Sequence, residues 1–87
     1  MQTEIPMEIE RIQTGVRIEK RVLKVLKALA ELKDLSLGDL LEGIVLHAFE
    51  GKAAFSKETL KQIGELKKIY NMPLRAGDSH KFKEKSA

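Results

Sequence analysis

Between Ile9 and Ile18 the chain alternates: Ile12, Thr14, Val16 and Ile18 fall on one side of an extended backbone, Arg11, Gln13, Gly15 and Arg17 on the other. That is the period of a β-strand, and nothing else in the 87 residues reads as its partner. A lone strand leaves N–H and C=O groups unpaired on both edges, and even a two-stranded ribbon is marginal unless helices cover it. The simplest partner is the same strand from a second copy. Paired antiparallel about a two-fold axis, two copies would set their apolar faces against helices and their polar faces outward. Length argues the same way, because so short a chain struggles to bury a sufficient core and, with no cysteine, has no disulfide to help. Only His47 and His80 remain as nitrogen ligands, so a four-ligand structural zinc site is excluded as well.

The alternation stops at Glu19. Val22, Val25, Leu26, Leu29 and Leu32 then follow helical spacing, with Lys20, Lys24, Lys27 and Glu31 along the opposite face, which predicts a helix from about Lys20 to Lys33. Ser36, with Asp39 three residues on, reads as the N-cap of a second helix. That helix carries Leu40, Leu41, Ile44, Val45, Ala48 and Phe49 and ends near Gly51. With Leu37 and Leu46 added, its apolar face is too broad for one neighbour. Gly43 in its middle costs about 1 kcal/mol against alanine, which a close helix crossing would offset. A third helix is expected from the Ser56 cap through Leu60, Ile63, Leu66, Ile69 and Tyr70, closed by Asn71-Met72-Pro73. Leu74 to Ala87 reads as a loose, lysine-rich tail.

Charge is distributed unevenly. Residues 1–10 hold three acids and no base, residues 11–33 a local charge of +5, residues 34–55 a charge of −3 and residues 56–87 a charge of +4. A solvated helix face is the ordinary reading of such runs. Two copies of one strand would nonetheless present Arg11, Gln13 and Arg17 twice over on a single ribbon, a surface suited to an anionic partner.

At this point the residues resemble the ribbon-helix-helix family of transcriptional regulators, which includes the Arc and methionine repressors. The resemblance spans about Ile9 to Gly51. It rests on Val16-Arg17-Ile18 entering a helix at Glu19-Lys20-Arg21-Val22-Leu23, then on Leu35-Ser36-x-Gly38-Asp39-Leu40-Leu41 opening a second. The resemblance implies an intertwined homodimer with a two-stranded antiparallel ribbon, and with the third helix, which lies beyond the resemblance, the expected fold is mostly α with one short strand plus an additional C-terminal helix. The chain then divides into an acidic arm at 1–8, the dimerisation and DNA-binding domain that the resemblance implies at 9–51, a helical extension at 52–71 and a flexible basic tail at 72–87.

The implied function is sequence-specific regulation of transcription, as a repressor, with the ribbon in the major groove of double-stranded DNA. Three outward strand positions reach base edges in the family, and here they are Gln13, Gly15 and Arg17. Arginine can bond guanine, and glutamine adenine, through two hydrogen bonds each. Gly15 has no side chain to read with, so either it permits close approach or Arg11 takes part in its place. The family also anchors phosphates at the start of the second helix, which carries over to the Leu37 and Gly38 N–H groups and the Ser36 hydroxyl. Asp39 opposes this by its charge. Lys20, nearest the ribbon, is a further candidate for a phosphate contact.

Other functions find little support. No phosphate-binding glycine loop, paired catalytic carboxylates or nucleophile elbow occurs, and Asp78, Ser79 and His80 are too local to form a hydrolytic triad. His47 has no second ligand at metal spacing on its helix face, and no cofactor is implied. The competing reading is a protein-interaction module, such as an antitoxin, in which residues 56–87 bind another protein; the dimers could also pair into tetramers on DNA. No apolar stretch is long enough to cross a membrane, and no signal-peptide core is evident, so the cytoplasm is the expected location.

Overall fold

The computed structural model describes residues 7–85. It contains three α-helices, α1 (Lys20–Leu32), α2 (Leu37–Phe49) and α3 (Lys57–Ile69), followed by a 3₁₀ turn at Ala76–Asp78. Among the described residues there is no strand, so the ribbon expected at 9–18 is absent and the fold is all-α. The ribbon-helix-helix arrangement and the intertwined dimer built on it are therefore corrected. The acidic arm expected at 1–8 lies almost wholly outside the described residues.

The reason is visible in the side chains of residues 7–18, hereafter the arm. Its backbone is extended, as the alternation requires, but among the described residues none of its N–H or C=O groups pairs with another segment. Its apolar side chains are not set against the helices either: Ile12 is 83% and Val16 73% exposed. Period-two alternation specifies an extended backbone, while a strand also needs a ladder partner, and this chain supplies none.

The helices start and stop where local chemistry directs. The Glu19 carboxylate accepts from the Arg21 and Val22 N–H groups at 2.8 and 3.0 Å and so caps α1. Ser36 Oγ accepts from the Asp39 N–H at 3.1 Å, and Ser56 Oγ from the Thr59 N–H at 3.1 Å. All three helices end alike, with a residue in the left-handed region: Asp34 (φ 56°), Gly51 (φ 68°) and Asn71 (φ 52°). In each case the next residue donates back across the last turn, Leu35 to Ala30, Lys52 to His47 and Met72 to Lys67, at 2.8 to 2.9 Å. This is the Schellman closure, which satisfies carbonyls that the helix end would leave free.

α1 lies between the other two helices and packs on both. Leu29, 2% exposed, sits with Ala30 and Leu40 at the centre, and Leu26, Ile44, Phe55, Ile63 and Leu66 close around them. The additional C-terminal helix thus folds back on α1 of its own chain and helps to form the core. Its stripe is only half used, because Leu60 and Ile69 remain exposed. The core is small, and the outer face of α2 is bare: Leu46 is 62% and Phe49 79% exposed. The close crossing expected at Gly43 is not formed, since a methyl group there would meet nothing within 4 Å. The radius of gyration is 15.4 Å, against about 12 Å for a compact domain of this length. That excess fits a small helical core carrying an extended arm.

Candidate nucleic-acid interface

The arm runs beside the helices rather than away from them. Arg11, Gln13 and Gly15 face Lys27 of α1 and Leu37 and Gly38 of α2 across an open groove of about 750 Å³. Four candidates named from the sequence, Gln13, Gly15, Leu37 and Gly38, therefore share one groove with Arg11. A side chain at Gly15 would meet nothing within 4 Å, so no close approach within the chain demands glycine there.

Arg11 ties the arm to α2. Its Nε donates to Glu42 Oε2 at 3.0 Å, and its terminal nitrogen donates to Glu42 Oε1 at 2.9 Å and to Asp39 Oδ1 at 3.3 Å. The fork geometry is the two-point match that arginine makes with a carboxylate. The Glu42 carboxyl is held below the ordinary glutamate range chiefly by the hydrogen bond from Arg11, which outweighs the opposing effect of burial, with a lesser contribution from the arginine's charge. In this state Arg11 is engaged with carboxylates instead of being free for a base.

The same contact alters the start of α2. The Leu37 and Gly38 N–H groups are in the first turn, where a helix has no partners of its own for them. Asp39 and Glu42 would repel an anion there, and Arg11 now stands against both of them. The Ser36 hydroxyl is occupied as the cap of the helix.

Arg17 and Lys20 lie on a different surface. They line a second groove of about 1000 Å³ at the start of α1, together with residues of the C-terminal segment. There Arg17 pairs with Glu84 at 2.8 Å, a partner 67 residues away. Arg21 is committed elsewhere, to Glu19 Oε2 at 3.1 Å and to the carbonyl of Asn71 at 3.2 Å. The expected candidates thus fall into two groups, one on each side of the arm.

Sequence reasoning missed Glu84 and the lysines around it. Within the C-terminal segment Lys67 Nζ donates to the Leu74 carbonyl at 3.0 Å, and the Arg75 N–H donates to Asp78 Oδ2 at 2.8 Å. His80 then turns with φ 67°, and residues 81–85 return to the start of α1. The signal available was the spacing Lys81, Lys83, Lys85, whose importance depends on a long-range placement that the sequence does not encode locally. His47 bonds within its own helix, Nδ1 to the Gly43 carbonyl at 2.7 Å.

No protein-family model matches the chain, and no curated protein or solved structure matches it. Nothing beyond the residue pattern therefore identifies a ribbon-helix-helix family.

Proposed function

We propose that the chain is a cytoplasmic regulator of transcription that binds double-stranded DNA and works as a homodimer. The observation that carries this reading is the set of unpaired lysines on α1 beside the arm, where four of the nearby acids are engaged, while Glu8 and Glu10 of the arm itself make no ion pair among the described residues. Glu19 caps α1, Asp39 and Glu42 are held by Arg11, and Glu84 is held by Arg17. Lys20, Lys24 and Lys27, by contrast, make no ion pair among the described residues and are exposed on one side of α1. Unpaired cations suit a phosphate backbone, and exposed Gln13, in the groove that Lys27 also lines, can reach beyond it to base edges.

Self-association is supported by the uncovered apolar side chains of the arm and of α2, which a second copy could bury. The same surface favours the second reading, a module that binds another protein through Leu46 and Phe49. Fluorescence anisotropy with a short duplex, over a series of salt concentrations, separates the two. Tight binding that weakens steeply with salt supports the regulator, and no binding at low salt leaves the protein-binding module. No helix among the described residues is long and apolar enough to cross a membrane.

A further inference from the structure

We propose that Lys81, Lys83 and Lys85 form the second wall of a phosphate-binding groove, facing Lys20 and Lys24 of α1, and that Glu84 occupies it in the free protein. The inference rests on the DNA-binding reading and adds to it the C-terminal segment and an internal competitor.

Seven basic side chains line this groove against two carboxylates, Glu19 and Glu84. Glu19 is turned into the cap of α1, so Glu84 is the one acid available to an incoming ligand. None of the five lysines makes an ion pair among the described residues. Like charges gathered this way repel one another, and the free chain offsets that repulsion with two contacts, Arg21–Glu19 at 3.1 Å within the α1 cap and Arg17–Glu84 at 2.8 Å. The oxygen of Glu84 marks a place where an anionic oxygen already meets Arg17, and a phosphate oxygen carries the same charge and accepting geometry. At about 1000 Å³ the groove is far larger than a single ion requires, which suits an extended backbone of repeated phosphates. Its placement follows from contacts already described. Arg21 on the Asn71 carbonyl and Lys67 on the Leu74 carbonyl fix where the C-terminal segment leaves α3.

Three full-length variants test the proposal by anisotropy titrations with a mixed-sequence duplex across a range of salt. Replacing Lys81, Lys83 and Lys85 together by alanine should flatten the dependence of log affinity on log salt by about two to three units, since each phosphate contact contributes about 0.9. A control with Lys57, Lys61 and Lys68 replaced by alanine removes the same charge from α3, outside the groove, and should change the slope by less than about one unit. Glu84→Gln should act oppositely, tightening binding and steepening the slope by about one unit as Arg17 becomes available. All seven positions are exposed, so far-ultraviolet dichroism and thermal melting should match the parent. A parent that fails to bind duplex overturns the DNA reading and the groove together. A parent that binds, with tail and control variants equal in slope or with Glu84→Gln without effect, overturns the groove alone.

Discussion

The Arg11 guanidinium closes a fork on the Glu42 carboxylate across 31 residues of sequence, with nitrogen-to-oxygen distances of 3.0 and 2.9 Å. This contact ties the arm to α2, while at the arm's other end Arg17 pairs with Glu84. With no backbone pairing and its apolar side chains in water, the arm has little else to fix it along α2.

The tether should therefore respond to pH. Arg11 lowers the folded-state pKa of Glu42, so the contact contributes its full stabilisation above the ordinary glutamate range and loses it as pH falls through the depressed folded value. Glu19, lowered chiefly by the Val22 N–H bond, titrates in the same direction, so α1 should fray at its start over the same acid window. Carbon-13 titration of the Glu42 side chain checks this: Arg11→Ala should move its midpoint upward. An unchanged midpoint would mean that the arm is not held by this pair.

Two glycines in and after α2 should respond to alanine with opposite sign. Gly43 has helical neighbours and open space around its Cα, so Gly43→Ala should stabilise by about 1 kcal/mol through helix propensity. Gly51 sits at φ 68° in the closing turn, where a Cβ is strained, so Gly51→Ala should destabilise by about 1 to 2 kcal/mol. Urea unfolding of both variants measures the pair. Destabilisation by Gly43→Ala would reveal a close neighbour at that position, such as a second copy of the chain.

The helices were legible because their signals are local. Ser36 and Ser56 announce two caps within three residues of the groups they bind, and the apolar spacing of Val25, Leu29 and Leu40 picks out the centre of the core. The arm was half legible: its extended form follows from alternation, whereas pairing depends on a partner that lies outside any local window. Arg11 illustrates the limit on sites. Its position in the pattern suggested a base contact, but two carboxylates one helical turn apart on α2, Asp39 and Glu42, hold its guanidinium in the free chain. Glu84 escaped notice for the same reason, since no spacing rule links it to Arg17.

Core and surface leucines should separate stability from association. Leu29→Ala removes the most buried side chain and should cost about 2 to 5 kcal/mol, enough to unfold much of a protein with so small a core. Leu46→Ala and Phe49→Ala remove exposed groups and should leave the helices intact while weakening self-association. Light scattering of the parent at micromolar concentration should report about twice 9.8 kDa, and the double surface variant about half the parent's mass. A parent that scatters as a monomer throughout would leave the bare face of α2 to a different partner.

Arg17 and Lys20 line one groove but should act differently on DNA. Arg17 lies on the extended arm, 85% exposed along its side chain, and can reach past the phosphates once Glu84 releases it. Lys20 is the first residue of α1, on the rigid part of the molecule, and offers a single charge rather than a two-point fork. Loss of a two-point arginine contact to guanine costs about 1 to 3 kcal/mol and relaxes preference at that base pair, while loss of a phosphate lysine weakens all sequences alike. Arg17→Ala should consequently lower the ratio of specific to nonspecific affinity, measured against selected and scrambled duplexes. Lys20→Ala should preserve that ratio and flatten the salt slope by about one unit. If folded Arg17→Ala protein discriminates between the two duplexes as well as the parent does, Arg17 is a phosphate contact like Lys20, and base readout must come from Gln13 and the groove on the other side of the arm.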